Sequence, residues 1–127
     1  RVELMGQVDE QAKFQILALA DIYVSAAQHE GFGIVFLEAM RAGLPIIATN
    51  DGGQTDFLSE GEHALLTAPH DDKAIVRAVN KLIDNPELRI KMGQTNIQAV
   101  QEYYLENTTA LIEDILIKTT TAYEHHH

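Results

Sequence analysis

The chain has 127 residues, 46% of them hydrophobic and 22% charged, and contains no cysteine. This length and composition are typical of one globular domain with a real core, and the lack of cysteine excludes a disulfide framework or a thiolate metal site. The 9 Lys and Arg against 19 Asp and Glu give a formal net charge of −10, which disfavours nucleic acid as a partner because nucleic-acid binding needs a basic face.

The first predicted elements alternate strand and helix. Val2–Met5 is apolar at alternate positions, which predicts a short strand. Asp9 can cap a helix that runs to about Ala20. Residues 22–25 predict a second strand, and residues 26–32 a loop. The predicted apolar face of the helix comprises Phe14, Ile16, Leu17, Leu19 and Ala20.

A second helix is predicted from about Gly33 to Ala42, and Gly43 is a natural residue to end it. Pro45–Thr49 is β-branched and bounded by turn residues, which predicts a third strand. A loop at 50–53 and a short helix through Phe57 follow, and then a fourth strand at Ala64–Thr67.

From Asp71 onward the sequence predicts helices. Apolar residues recur there at helical spacing, at Ile75, Val76, Val79, Leu82 and Ile83. Asn85-Pro86 should break this helix. Three further helices are predicted, at Pro86–Gln94, Thr95–Tyr104 and Asn107–Lys118.

Alternating strands and helices predict an α/β fold, a Rossmann-like parallel sheet flanked by helices, with a helical C-terminal part. Such sheets bind ligands at the carboxyl ends of their strands. The loops at 26–32 and 50–53 both follow predicted strands, so we expect them to converge on one crevice.

The stretch from Glu30 to Glu38 is the most informative part of the sequence. Glu30 precedes a Gly-aromatic-Gly turn, which indicates a close backbone approach followed by a helix start. A helix N-terminus offers free N–H groups and a positive dipole end, which suit phosphate. Glu38 lies inside the apolar run from Ile34 to Met40, and because burying an unpaired charge is costly, we expect it to have a dedicated partner.

Residues 6–85 resemble the C-terminal, donor-binding domain of group 1 (family 4) retaining glycosyltransferases, enzymes built from two Rossmann-like domains in the GT-B architecture. The motifs that carry the resemblance match in order and spacing and are Gly6-Gln7-Val8, Ala20-Asp21-Ile22, Glu30-Gly31-Phe32-Gly33, Glu38-Ala39-Met40, Ala42-Gly43-Leu44-Pro45 and Gly52-Gly53. Two departures, Ala26-Ala27 for Pro-Ser and Thr55-Asp56 for Pro-Glu, touch the predicted pocket rim and could alter donor choice.

The resemblance implies roles for particular residues. Glu38 would accept hydrogen bonds from the ribose 2′- and 3′-hydroxyls, and two carboxylate oxygens suit a vicinal diol. Glu30, the catalytic candidate, would contact donor-sugar hydroxyls near the reaction centre. Backbone amides would face the diphosphate or the sugar at Gly31, Phe32, Gly33, Ile34 and Val35.

Further pocket residues are less specific. Gly6 and Val8 border the nucleobase in the family, although a strand end and turn explains them equally well. Gly52 and Gly53 would shape the pocket floor. His29 precedes the motif and could reach the donor, but a plain loop histidine is the better interpretation.

The implied reaction moves a glycosyl group from a UDP-, GDP- or ADP-sugar to a saccharide or lipid-linked acceptor with retention of configuration. No metal or other cofactor is expected, because GT-B enzymes generally need none and no Asp-x-Asp is present. The family's diphosphate-binding Arg and Lys lie upstream of the matching segment, and Arg41 is too far along the motif helix to replace them. We therefore expect weak nucleotide binding without turnover.

Residues 1–123 are interpreted as the C-terminal nucleotide-sugar-binding domain, with the acceptor domain absent, and 124–127 as an expression-tag remnant. No apolar run approaches the roughly 20 residues that span a bilayer. The expected location is cytoplasmic, at most peripheral at the inner face of the membrane.

Two other enzyme classes lack their motifs here. The segment 6–11 does not read Gly-x-Gly-x-x-Gly, which argues against a Rossmann oxidoreductase, and no Gly-Lys-Ser/Thr turn of a P-loop kinase occurs. Two alternatives stay open: another GT-B sugar-nucleotide enzyme of the epimerase type, and a non-catalytic nucleotide-sugar-binding module.

Overall fold

The computed structural model describes residues 1–31, 33–103 and 117. In chain order the elements are α1 (Glu10–Leu19), β1 (Tyr23–Val24), α2 (Ile34–Arg41), β2 (Ile46–Thr49), a 3-10 turn (Gly53–Asp56), β3 (Ala64–Thr67), α3 (Asp72–Ile83), α4 (Pro86–Val100) and a second 3-10 turn (Gln101–Tyr103). No described helix is both long and apolar enough to cross a membrane.

The sheet has three parallel strands in the order β1-β2-β3. In the register, Tyr23 lies opposite Ile46, and Ile46 lies opposite Ala64. Every residue of the central strand β2 is buried, as expected for a strand covered on both faces. The predicted α/β fold with a parallel sheet is confirmed.

The predicted strand at Val2–Met5 is wrong. These residues form no strand, and Val2 and Leu4 are 87% and 92% exposed. The alternating pattern is strand-like, but a segment forms a strand only when the N–H and C=O groups of a neighbouring strand pair with its own. No described strand pairs with this segment.

Three helices begin at the side-chain caps that their sequences suggest. Asp9, Asp71 and Asn85 cap α1, α3 and α4 by accepting from amides three residues on, at 2.7, 2.9 and 3.0 Å. The break at Asn85-Pro86 is therefore confirmed, with proline just inside the new helix.

The predicted division of the C-terminal helices is wrong where it can be compared. The helix α4 continues through residues 94 and 95 to Val100 without interruption, since neither residue is a strong breaker. The predicted helix Asn107–Lys118 lies, apart from Ile117, outside the described residues.

Two apolar layers cover the sheet. One face packs against α1, α2 and the end of α4, and the other against α3 and the start of α4. The helix α1 buries only Leu17 of its predicted apolar face, while Phe14, Ile16 and Leu19 are exposed. Most of this predicted apolar face therefore lies outside the described core, to which α1 contributes Leu17 as its buried residue.

A close glycine contact fixes α2 against α4. Gly43 ends α2 with φ +73°, as predicted, and a Cβ on Gly93 would lie 2.2 Å from the Gly43 carbonyl oxygen. The buried Asn96 amide donates to Leu44 O at 2.8 Å and to His63 O at 2.9 Å. These contacts hold α2, which carries Glu38, in a fixed position on the sheet.

Candidate functional site

Two loops meet at the carboxyl end of the sheet, as predicted. The Gly53 amide donates to Glu30 O at 2.9 Å, which joins the loop after β2 to the loop after β1. The Thr49 hydroxyl donates to Ala27 O at 2.7 Å and makes a second link. Hydrogen bonds from Gly53 and Thr49 therefore hold the backbone around Glu30 in place.

Gln54 organises the loop after β2. Its side chain is fully buried, and its amide donates to Thr49 O at 3.0 Å and to Asp51 O at 2.7 Å. A Cβ on Gly52 would lie 2.5 Å from Gln54 Oε1 and 3.0 Å from Glu30 O, at φ +120°. Gly52 is thus required for this packing. Sequence reasoning missed Gln54, because one glutamine after two glycines carries no distinctive signal.

The helix α2 starts in an unusual way. Its N-cap residue Gly33 has the left-handed φ of +83° and gives no side-chain cap, and the first turn contains no acidic residue. A Cβ on Gly33 would lie 2.7 Å from the Phe36 ring and 3.4 Å from Glu30 Cγ. Phe36 N donates to Gly33 O at 2.9 Å, so the amides of Ile34 and Val35 lie in the unpaired first turn.

Glu38 lies on the second turn of α2 and has a partner. Lys13 Nζ, on α1, donates to Glu38 Oε1 at 2.8 Å, and the Glu38 side chain is 18% exposed. The hydrogen bond to Glu38 is the main cause that raises the pKa of the Lys13 ammonium. The expectation of a dedicated partner is confirmed. Sequence reasoning missed that the partner is Lys13, because it belongs to another helix.

Tyr23 reports the electrostatics between the two glutamates. Burial raises the pKa of its hydroxyl, and the negative charges of Glu30 and Glu38 raise this pKa further. Its ring packs edge-on against Phe36, with centroids 5.8 Å apart. Both carboxylates therefore act on the hydroxyl of Tyr23, whose ring packs against Phe36 of α2.

Two adjoining grooves open beside Glu38, with volumes of about 420 and about 350 Å³. Both are lined by Phe14, Glu38 and Arg41. The remaining described lining residues are Ala18 and Ala42 in the first, and Glu10, Ile34, Leu37, Val100 and Tyr103 in the second. A carboxylate, a guanidinium and an aromatic ring thus face the same space.

The other predicted site residues differ in position. Gly31 has no described atom within 4 Å of an added Cβ, and Phe32 lies outside the described residues. Val8 is half-buried, whereas Gly6 and His29 are exposed. The structure brings together Glu30, Gly33, Gly52 and Gly53 at one edge, and it does not tie Gly6 or His29 to them.

Comparisons with known proteins agree with this geometry. Residues 1–99 match the family model for glycosyl transferases group 1. The D-inositol 3-phosphate glycosyltransferase of Corynebacterium efficiens is 32% identical over 122 residues, which cover 96% of this chain and 29% of that protein.

Two solved structures extend the likeness to the fold. Sucrose-phosphate synthase from Thermosynechococcus elongatus superposes with a TM-score of 0.86 at 28% identity, covering 97% of this chain and 31% of that one. Anabaena HepE, solved in complex with UDP-glucose, gives a TM-score of 0.76 at 25% identity, covering 82% of this chain and 29% of that one.

The chain spans 29% to 31% of the length of these three proteins. The superposed part is one half of the GT-B architecture, as predicted. Because the family model covers most of the chain and the motif from Glu30 to Glu38 lies inside the matched residues, this chain belongs to the group 1 glycosyltransferase family.

Proposed function

We propose that the chain is the donor-binding domain of a retaining glycosyltransferase and binds a nucleoside-diphosphate sugar across the start of α2. One observation carries the proposal. The N-terminus of α2 has neither a side-chain cap nor an acidic first turn, and it lies between Glu30 and Glu38. This arrangement suits a ligand with a diphosphate in the middle and hydroxyl groups at both ends.

Glu38 would hold the ribose. Its carboxylate is mostly buried, and the contact with Lys13 Nζ occupies part of Oε1 only. A carboxylate has about four acceptor positions, so Oε2 and the rest of Oε1 can accept from two vicinal hydroxyls. The adjoining grooves beside Glu38 would receive the nucleobase.

The diphosphate would lie at the first turn of α2. Glu38 is four residues beyond Ile34, which places the two about 6 Å apart along the helix axis. Unpaired amides and the positive end of the helix dipole favour an anion there. The same amides would stabilise the charge that grows on the diphosphate leaving group in the transition state.

Glu30 would contact the donor sugar near the reaction centre. Its carbonyl is fixed by Gly53, and the neighbouring Gly31 leaves open space beside the backbone. No described residue lies close enough to position 31 to require a glycine there. A sugar lying against this backbone would require one, because it would leave no room for a side chain. Glu30 is therefore the proposed catalytic residue.

The proposed reaction needs no metal in this domain, and the acceptor, a saccharide or a lipid-linked saccharide, would bind to a second domain of the complete protein. Residues 1–123 form the proposed domain, with 124–127 as a tag remnant. On this proposal the chain alone binds the donor weakly and does not turn it over.

The test is a titration of the chain with UDP, GDP and ADP, and with the matching glucose conjugates, followed by amide chemical shifts. We expect one base to shift residues 30–38 and 50–53. Glu38→Gln should weaken binding of both the nucleotide and the sugar nucleotide by about tenfold, the loss of one or two charge-assisted hydrogen bonds. Glu30→Gln should weaken only the sugar nucleotide.

Glu87→Gln, on the exposed first turn of α4, is the matched control and should bind like the original chain. No shifts with any of the six ligands would contradict the proposed function. A loss of equal size in Glu30→Gln for ligands with and without the sugar would contradict the assignment of Glu30. Robust transferase activity of the chain alone would contradict the division of labour between domains.

A further inference from the structure

We infer that Lys13 is a positioning residue that orients the Glu38 carboxylate for the ribose diol. The inference rests on the proposed function and extends the site to α1, which the family motif does not include. It starts from the contact of 2.8 Å between Lys13 Nζ and Glu38 Oε1, which joins residues 25 positions apart in the chain.

The ion pair is placed where it can control geometry. The Lys13 side chain is 33% exposed and the Glu38 side chain 18%, so neither is freely solvated. Lys13 has a second, longer contact with Glu10 at 3.5 Å, and its ammonium lies 5.3 Å from the Phe14 ring centroid. These neighbours restrict the ammonium to one side of the Glu38 carboxylate.

The contact leaves the right part of Glu38 free. Only Oε1 is bonded to Lys13, and Oε2 accepts no hydrogen bond from any described residue. A carboxylate on a flexible side chain would otherwise rotate about its terminal torsion, which is broad for glutamate. By fixing Oε1, Lys13 sets the carboxylate plane before the ligand arrives, which reduces the ordering cost of binding.

A direct role on the diphosphate fits the positions less well. The unpaired amides that suit phosphate lie at Ile34 and Val35, about one helical turn away from Glu38 along α2. The Lys13 ammonium is already bonded to Glu38, on the second turn of α2, rather than to the first turn. The lysine therefore belongs to the ribose end of the site.

The experiment measures dissociation constants of the chain for UDP, GDP and ADP, and then for the 2′-deoxy form of the tightest binder. Lys13→Met keeps the aliphatic stem and removes the charge, Lys13→Arg restores it, and Lys91→Met on the exposed face of α4 is the control. We expect Lys13→Met to weaken the ribonucleotide about tenfold and the 2′-deoxy form, which keeps only the 3′-hydroxyl, about threefold.

Lys13→Arg should recover most of the loss, and Lys91→Met should change nothing. In a Glu38→Gln background, Lys13→Met should add little, since the two residues act as one unit. Equal weakening of the ribo and 2′-deoxy forms would overturn the inference in favour of a phosphate contact, and an unchanged ribonucleotide affinity would reduce the pair to a surface ion pair. Failure of the original chain to bind any of the three nucleotides would instead overturn the proposed function, and the inference with it.

Discussion

The N-terminus of α2 differs from the N-termini of α1, α3 and α4, the other described α-helices. Those three are capped by Asp9, Asp71 and Asn85, and each has an acidic residue in its first turn. The helix α2 has neither and is entered through the left-handed Gly33. The same chain thus satisfies three helix starts internally and leaves one with its amides and dipole uncompensated.

The difference separates residues that serve the fold from residues that serve the site. A side-chain cap contributes about 1 kcal/mol relative to alanine, but a glycine N-cap such as Gly33 costs only about a few tenths of that, so its omission weakens the fold slightly. The geometry at α2 is nevertheless enforced, since both Gly33 and Gly52 have positive φ and no space for a side chain. A helix start that is left open and held this firmly suits an external anion, such as the diphosphate proposed above.

The largest effect is expected from Gly33→Ala. The left-handed conformation costs a residue with a side chain about 1–2 kcal/mol, and the new Cβ would lie 2.7 Å from the Phe36 ring. We expect a total loss of roughly 2–4 kcal/mol in the free energy of unfolding, measured by chemical denaturation.

Gly31→Ala is the matched control for this change. Position 31 has space for a Cβ among the described residues, so stability should change by less than about 0.5 kcal/mol. Donor binding should still weaken, because the methyl group would intrude where the sugar approaches. If Gly33→Ala and Gly31→Ala lost the same stability, both glycines would be required by the fold. The distinction between a structural Gly33 and a ligand-facing Gly31 would then be wrong.

A smaller effect is expected when the missing acidic residue is supplied. Ile34 is 65% exposed in the first turn of α2, so Ile34→Glu can be accommodated without repacking. The new charge should stabilise the chain by about 0.3–1 kcal/mol through the helix dipole. It should also weaken binding of the nucleoside diphosphate that the chain prefers by about tenfold, because a like charge then lies beside the diphosphate.

Ile90→Glu tests whether this result depends on position. Ile90 is equally exposed, at 61%, but lies inside α4 beyond its first turn. The same change in charge should leave the affinity for that nucleoside diphosphate unaltered there. Stronger or unchanged binding of the preferred nucleoside diphosphate in Ile34→Glu would show that α2 does not begin at an anion site.

The sequence was informative wherever structure depends on near neighbours. The caps at Asp9 and Asn85, the end of α2 at Gly43 and the buried strand β2 all follow from local residue types. Glu38 could be expected to need a partner because its neighbours are apolar.

The sequence could not predict that the partner of Glu38 is Lys13, because the two residues are 25 positions apart and lie on separate helices. The prediction of a strand at Val2–Met5 was wrong for a related reason. An alternating pattern indicates that a segment favours extended backbone, but a strand also needs hydrogen-bonding neighbours, which the pattern does not specify. Gln54 was missed because its importance comes from the backbone oxygens around its amide, which no spacing reveals.

The smallest expected effect is the titration of Tyr23, which lies under the uncapped helix start. Burial and the charges of Glu30 and Glu38, in that order, raise its pKa above the ordinary 10.0. The folded state therefore keeps the phenol proton at a pH where the unfolded chain loses it. The contribution of this group to stability is complete below pH 10 and is lost as the pH rises through the folded pKa.

Tyr23→Phe keeps the edge-on contact with Phe36 and removes the titrating group. We expect the original chain to lose more stability than this variant between pH 9 and 11, while the contribution of Lys13, whose pKa is also raised, cancels in the difference. Ring chemical shifts of Tyr23 should give its pKa directly, and Glu30→Gln should lower it more than Glu38→Gln does. An unchanged Tyr23 pKa in both variants would mean that the two carboxylates do not share one electrostatic site, and the contrast between α2 and the capped helices would then rest on backbone geometry alone.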